Sequence, residues 1–506
     1  MSDTSYTCNI TLGGEQFEVQ IDTGSVDLWV IGNVPGTHNT TVPFSESYGK
    51  GSATGFINTA ELVFDNFVIE NQAYVLVDKV DQMPNTPGTG LIGFGPSSES
   101  VEGGIAKLIG TPAGDPPLDR IFRQNMSTPN ILTILLSRAS EQSLENNNTY
   151  ISLLEEQPGQ LTVGEVIPEY ESVTKQPKLP ALVDNVNQHW MTLLDPNGIV
   201  WQDGTKINTT STHVETAIGQ SDQLRVVFDS GFTLPQMPAA ITDAIYGRIP
   251  GANFSSEYGV WLVPCDYELN ISFFFENVEF PIHPLDLTLF EATEGEENIC
   301  AGSFQPIAAN IANDPTFGSF DAILGMAFLR NAYLLINFGD FVDGSNSSVA
   351  NPYMQLLPTI NTTLAHQDFV NVRLGGKDTT GSQAPLLPVG QGQTSSSASS
   401  ASDLSGDLSQ SDSSTSSQRF YQTTWFIIVI SVIGAFVLAC IAWSVYVRVR
   451  RTRRSNVRSE SAFVPPMGSY KPLIMKDEDR SSIPRYNDHE TGAGNGYHDP
   501  YYSDRA

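Results

Sequence analysis

Two short segments of the chain have the residue types and placement to do acid–base chemistry. The first reads Gln20-Ile21-Asp22-Thr23-Gly24-Ser25 and runs on into Leu28-Trp29-Val30. The second reads Val226-Val227-Phe228-Asp229-Ser230-Gly231-Phe232-Thr233. In each, an apolar strand ends in Asp, then Thr or Ser, then Gly. Taken singly, such a tripeptide is an ordinary tight turn, because Asp and Gly both favour turn backbones. The residues downstream of each aspartate change its meaning. Gly90-Leu91-Ile92-Gly93 comes after Asp22, and Phe320-Asp321-Ala322-Ile323-Leu324-Gly325 after Asp229, the closing glycines lying 71 and 96 residues on. The same two-part pattern occurs twice in order, which marks an internal duplication. Two carboxylates brought to about 3 Å cannot both ionise and share one proton, leaving one as base and one as acid.

The elements that must position these residues are strands. Short alternating runs such as Phe17-x-Val19-x-Ile21 and Leu62-Val63-Phe64 are broken by Gly, Pro and Asn every ten or so residues, and long amphipathic helical patterns are scarce. An early hairpin is legible in Asn9-Ile10-Thr11-Leu12, then Gly13-Gly14, then Glu15 to Ile21. Roughly residues 5–363 therefore read as an all-β folded region.

On these motifs the chain resembles the pepsin-like aspartic proteases, in a eukaryotic, fungal-type and membrane-anchored form. The resemblance covers nearly all of residues 5–363. It implies a bilobal fold with a cleft between two β-rich lobes, residues 1–165 and 166–363, each lobe giving one aspartate. Asp22 and Asp229 are then the catalytic pair of an endopeptidase that hydrolyses peptide bonds with an activated water. Thr23, Gly24, Ser25, Ser230 and Gly231 support them, Thr23 and Ser230 bonding across the pseudo-twofold axis. Tyr48 and Gly49 fall in the family's flap hairpin, Ser47-Tyr48-Gly49-Lys50-Gly51-Ser52, with Trp29 as the partner of the tyrosine. Gly159 to Gly164 resembles the strand that ends the first lobe. Cys265 and Cys300 fall where the second lobe usually has a disulfide. The family needs no metal and no cofactor, and its substrates are peptides and proteins cut by a monomeric domain.

Two departures bear on the site. Lys50 puts a charge on the flap where relatives commonly have a small hydroxyl residue. Phe232 replaces the Thr or Ser that usually supports the second aspartate, which removes a hydrogen bond to Asp229 and is expected to raise the pair's apparent pKa values.

The formal charge is −30. Residues 1–447 carry −33 and the basic tail +3. So acidic a surface repels phosphate backbones and excludes nucleic acid as a partner. The four cysteines, Cys8, Cys265, Cys300 and Cys440, show no zinc-ligand spacing. Thr394–Gln418 has 13 Ser and 2 Thr and no aromatic residue, so residues 364–424 are expected to form a disordered stalk. Residues 425–447 are 23 uncharged residues, enough for one transmembrane helix, and RVRRTRR comes directly after. The positive-inside rule then puts the disordered tail 448–506 in the cytosol and the catalytic region outside or in a lumen, at the plasma membrane or in a vacuolar or endosomal compartment. Nine N-x-S/T acceptors, all before the stalk, fit a glycoprotein of the secretory pathway. That topology needs an export signal, which MSDTSYTC does not supply, and the expectation is an N-terminus that begins further upstream. The competing reading is a catalytically inactive ectodomain on the same fold that serves as a binding or adhesion protein.

Overall fold

The computed structural model describes residues 5–49, 51–81, 89–97, 104–138, 159–184, 187–211, 222–289, 298–307, 319–342, 344–345 and 350–395. Strands dominate and helices are few and short. The first half builds a seven-stranded sheet from β1 (Thr7–Leu12), β2 (Glu15–Asp22), β3 (Leu28–Val30), β4 (His38–Ser47), β5 (Ser52–Phe64), β6 (Phe67–Asp81) and β7 (Gly90–Gly93). Their order across the sheet is β1-β2-β7-β3-β6-β5-β4. The expected hairpin is present, β1 and β2 pairing antiparallel from Leu12↔Glu15 to Thr7↔Gln20. Its two-residue turn takes φ of +60° at Gly13 and +87° at Gly14, a backbone that L side chains resist.

β2 begins with side chains alternating in and out, then becomes buried on both faces from Val19 to Asp22. The change has a cause: β7 lies parallel beside that end, pairing Asp22 with Gly93, and crosses antiparallel against β3. The second half repeats the device. Strand Arg225–Phe228 lies parallel to Ala322–Leu324 with Phe228 opposite Leu324, inside a five-stranded sheet. In both halves, then, a strand leading to Asp lies parallel to an apolar strand leading to Gly.

A third sheet, five-stranded, joins the halves. Its order is Leu179–Pro180, Tyr353–Pro358, Ala332–Asn337, Ile131–Leu135, Gln160–Val163, with Leu334 opposite Ile134. Beside it Asp286 is buried between the guanidiniums of Arg138 and Arg330, the latter at 2.7 Å, and accepts from Asn331 Nδ2 at 2.9 Å. Burial opposes ionisation there, but the two cations hold the Asp286 carboxyl well below the usual carboxylate range.

The ordered chain continues past the boundary expected at residue 363. Helix Thr362–Arg373 begins where Asn361 caps the backbone N–H groups of Thr363 and Leu364. Beyond it, the N–H of Leu387 donates to the Arg248 carbonyl at 2.8 Å, and Gln393 N–H to Gly247 at 2.9 Å. Leu386 packs against the main hydrophobic core. The stalk expectation is corrected to this extent, for a physical reason: the serine-rich composition begins only at residue 394, and the chain before it still has apolar anchors. The rest of the expected stalk, the span 425–447 and the tail lie outside the described residues. Among the described residues no helix is long and apolar enough to cross a membrane.

Cys265 and Cys300 form a disulfide that closes a sequence separation of 35, and Cys8 is a free thiol whose burial pushes it up to about 12. Replacing both Cys265 and Cys300 by serine is expected to lower stability by about 3–4 kcal/mol, because the reduced loop regains chain entropy when unfolded. Denaturant midpoints of the two proteins measure this, and coincident curves would refute it.

Candidate active site

The two aspartate loops meet through a set of crossed hydrogen bonds. The Thr23 N–H donates to Ser230 Oγ at 3.1 Å, and the Ser230 N–H donates to Thr23 Oγ1 at 2.9 Å. Each hydroxyl then donates onward, Thr23 to the Phe228 carbonyl at 2.9 Å and Ser230 to the Ile21 carbonyl at 3.1 Å. Both residues are fully buried. Only a hydroxyl accepts and donates at once from so short a side chain, which is why Thr and Ser follow the aspartates. These four bonds join residues more than two hundred apart in sequence.

The glycines let the loops cross. A Cβ on Gly24 would sit 2.2 Å from Asp229 Oδ2, and one on Gly231 would sit 2.4 Å from Asp22 Oδ1. Each carboxylate thus occupies the space of a missing side chain in the opposite loop. Gly93 and Gly325 are held for the same reason: a Cβ there would meet the Val26 carbonyl carbon at 2.4 Å and the Phe232 carbonyl oxygen at 2.3 Å.

Asp22 and Asp229 are 5% and 6% exposed. Asp22 accepts from Gly24 N–H at 2.9 Å and from the Ser25 hydroxyl. Asp229 accepts from Gly231 N–H at 2.7 Å. The position in the second loop that matches Ser25 holds Phe232, whose ring packs with Leu182, Met191, Val227, Phe320 and Ile323 instead of bonding the carboxylate. The pair is therefore asymmetric. Burial, and then the neighbouring Asp22 carboxylate, raise the Asp229 carboxyl well above the usual range.

The hairpin of β4 and β5 runs past this site. Tyr48 comes just after β4, and its hydroxyl accepts from Trp29 Nε1 at 2.8 Å, the contact the resemblance implies. Gly49 is at the hairpin's tip, and Lys50 lies outside the described residues. Two acidic side chains at the site are not marked by any motif in the sequence. Asp27 is buried beneath the hairpin, accepts from Ile105 N–H at 3.2 Å, and is pushed up to about 6 by burial. Glu46 is pushed up to about 8 by burial and then by the charges of Asp27 and Asp22. The signal for Glu46 was available in the strand period, since Phe44, Glu46 and Tyr48 share one face.

Among the described residues, no group of His, Cys, Asp or Glu has the arrangement of a metal site. A cavity of about 480 Å³ lined by Trp201, Glu268, Asn270 and His366 shares no residue with the aspartate loops.

Residues 188–343 match the family model described as eukaryotic aspartyl protease. The chain carries a eukaryotic aspartyl protease domain. The matched stretch contains Asp229 and the segment closing at Gly325, but not Asp22. Similarity of the pepsin-like domain to whole proteins reaches further. Major aspartyl peptidase 1 of Cryptococcus neoformans var. grubii is 24% identical over 384 residues, covering 69% of this chain and 71% of that protein. Mouse gastricsin is 24% identical over 371 residues, covering 67% and 79%. Rhizopuspepsin of Rhizopus chinensis is 23% identical over 362 residues, covering 67% and 77%. In structure, the pepsin-like domain resembles the aspartic proteinase from Irpex lacteus with a TM-score of 0.50 at 16% identity, over 71% of this chain and 96% of that one, a likeness of fold.

Proposed function

We propose that the protein is an aspartic-type endopeptidase in which Asp22 and Asp229 activate a water between them. One observation carries the reading: each carboxylate fills the space of the glycine side chain missing from the other loop. In that arrangement Asp229, raised by burial and by Asp22, holds the shared proton, and Asp22 is the base. Asp22 takes a proton from the water as it attacks the scissile carbonyl. Asp229 donates its proton to the carbonyl oxygen and stabilises the tetrahedral intermediate. The Ser25 hydroxyl and the Gly24 N–H hold the Asp22 carboxyl in place. No covalent intermediate forms in this scheme. Tyr48 and Gly49 in the hairpin, with Trp29 behind, cover a peptide laid along the cleft.

Hydrolysis of a quenched peptide by residues 1–395, secreted behind a heterologous signal, tests this. Turnover should be blocked by a peptide with a hydroxyl-bearing tetrahedral isostere at the scissile position, which mimics the intermediate. A folded, secreted protein that neither cuts the peptide nor binds the isostere would leave the fold as a binding domain.

The pH profile reflects the asymmetry. Turnover requires Asp229 protonated, so activity is lost as pH rises through its raised pKa. With no hydroxyl donor from residue 232 to favour the ionised form, the optimum should lie above about pH 3. Phe232→Thr restores that donor and should move the alkaline limb to lower pH. A limb that stays in place or moves upward would count against the assignment.

The anchor belongs to this proposal too. The uncharged span 425–447 and the arginines after it support a single-pass protein with the protease domain outside or in a lumen.

A further inference from the structure

The inner face of the hairpin carries one acidic side chain among apolar ones. β4 is a strand, so alternate side chains share a face, and Phe44, Glu46 and Tyr48 line the same one. Phe44 and Tyr48 pack with Trp29, Ala53, Val75, Leu91 and Ile105, so that face points inward from the hairpin onto β3. Glu46 pairs with Ala53 across the hairpin, between the two aromatic residues. It is only partly buried, unlike Phe44. Asp27 lies deeper, already engaged by the Ile105 N–H. Glu46 lies two residues before Tyr48 on that same face, and the charges of Asp27 and Asp22 act on it. Among the described residues, no cation forms an ion pair with it.

We propose that Glu46 selects a basic side chain, lysine or arginine, at a substrate position next to the scissile bond. This deepens the endopeptidase reading and rests on it. The partly buried Tyr48 ring suits the aliphatic stem of such a residue, and the Glu46 carboxylate meets its charged head. A neutral apolar residue there would cover the partly exposed Glu46 carboxyl without giving it a partner, which is unfavourable. A cation opposite it offsets the negative charges of Asp22 and Asp27.

The test separates this inference from the reading beneath it. Matched peptides carry either lysine or norleucine, in turn, at the two positions on each side of the bond. Each is made as a cleavable substrate and as a tetrahedral isostere. At one position, lysine should be favoured over norleucine by about ten- to hundred-fold in kcat/KM and in isostere binding. Glu46→Gln should reduce that ratio to near unity, and Glu46→Asp, which keeps the charge, should retain most of it. If the isosteres bind and the peptides are cut with no preference for lysine, the inference falls and the endopeptidase reading stands. The inference falls in the same way if Glu46→Gln leaves the preference intact. If no isostere binds and no peptide is cut, both fall.

Discussion

Asp22→Asn and Asp229→Asn are each expected to lower peptide turnover by about 10³-fold or more, with the fold intact. The amide has the shape of the carboxylate, and its oxygen still accepts from Gly24 N–H or Gly231 N–H. What it lacks is the ability to exchange a proton. In the proposed scheme, the loss at position 22 removes the base that takes the water's proton. At position 229 it removes the acid that protonates the carbonyl oxygen. The effects are not expected to add, because the pair acts as one unit, and the double variant should be about as slow as either single one. Thermal stability should be unchanged or slightly raised, since each change replaces one buried ionisable carboxyl of the pair by a neutral amide of the same shape. Turnover and melting of all three variants provide the check. A single asparagine variant that kept a tenth of the activity would remove that aspartate from the mechanism.

The second large effect is expected at the glycines. Gly24→Ala places a Cβ 2.2 Å from Asp229 Oδ2, and Gly231→Ala places one 2.4 Å from Asp22 Oδ1. Neither contact can persist, and the group that must move is the opposite carboxylate. Displacing a reacting group by an ångström costs about 10²-fold in rate, so each alanine should slow turnover at least that much. The crossed bonds of Thr23 and Ser230 lie on the buried side of the loops and keep the lobes joined, so the damage should fall on rate before stability. Gly381→Ala is the control, because nothing lies within 4 Å of its Cβ position. Equal turnover in Gly231→Ala and Gly381→Ala would mean that the aspartates do not occupy this geometry during catalysis.

Much of the site was legible because its constraints are local. An apolar strand must end where the carboxylate is presented, the next residue must be a hydroxyl, and the one after must lack a side chain. All three requirements fall on consecutive residues, and their recurrence at 22–24 and 229–231 exposed the duplication. The Trp29–Tyr48 pairing and the Cys265–Cys300 disulfide were legible only through resemblance, since neither spacing alone specifies a contact. The stalk boundary was misplaced because composition averages over a window. It registered the serines after residue 394, but not that Leu386 and Leu387 before them anchor the chain to the second half.

By itself the sequence determined that this is a duplicated β protein with two aspartate turns, because periodicity, turn residues and repetition are properties of short stretches of chain. Tertiary structure decided what those turns do to each other. The crossed hydroxyls and the carboxylate in the space of the opposing glycine depend on residues some two hundred positions apart, and Phe232 turns to a cluster that gathers residues as distant as Leu182 and Ile323. It also decided which neighbours the Glu46 face meets, and that the charges of Asp27 and Asp22 act on it. Strand period assigns Glu46 to a face, but only folding the hairpin onto Trp29 and Ile105 makes that face the inner one, where burial and like charge act on it together.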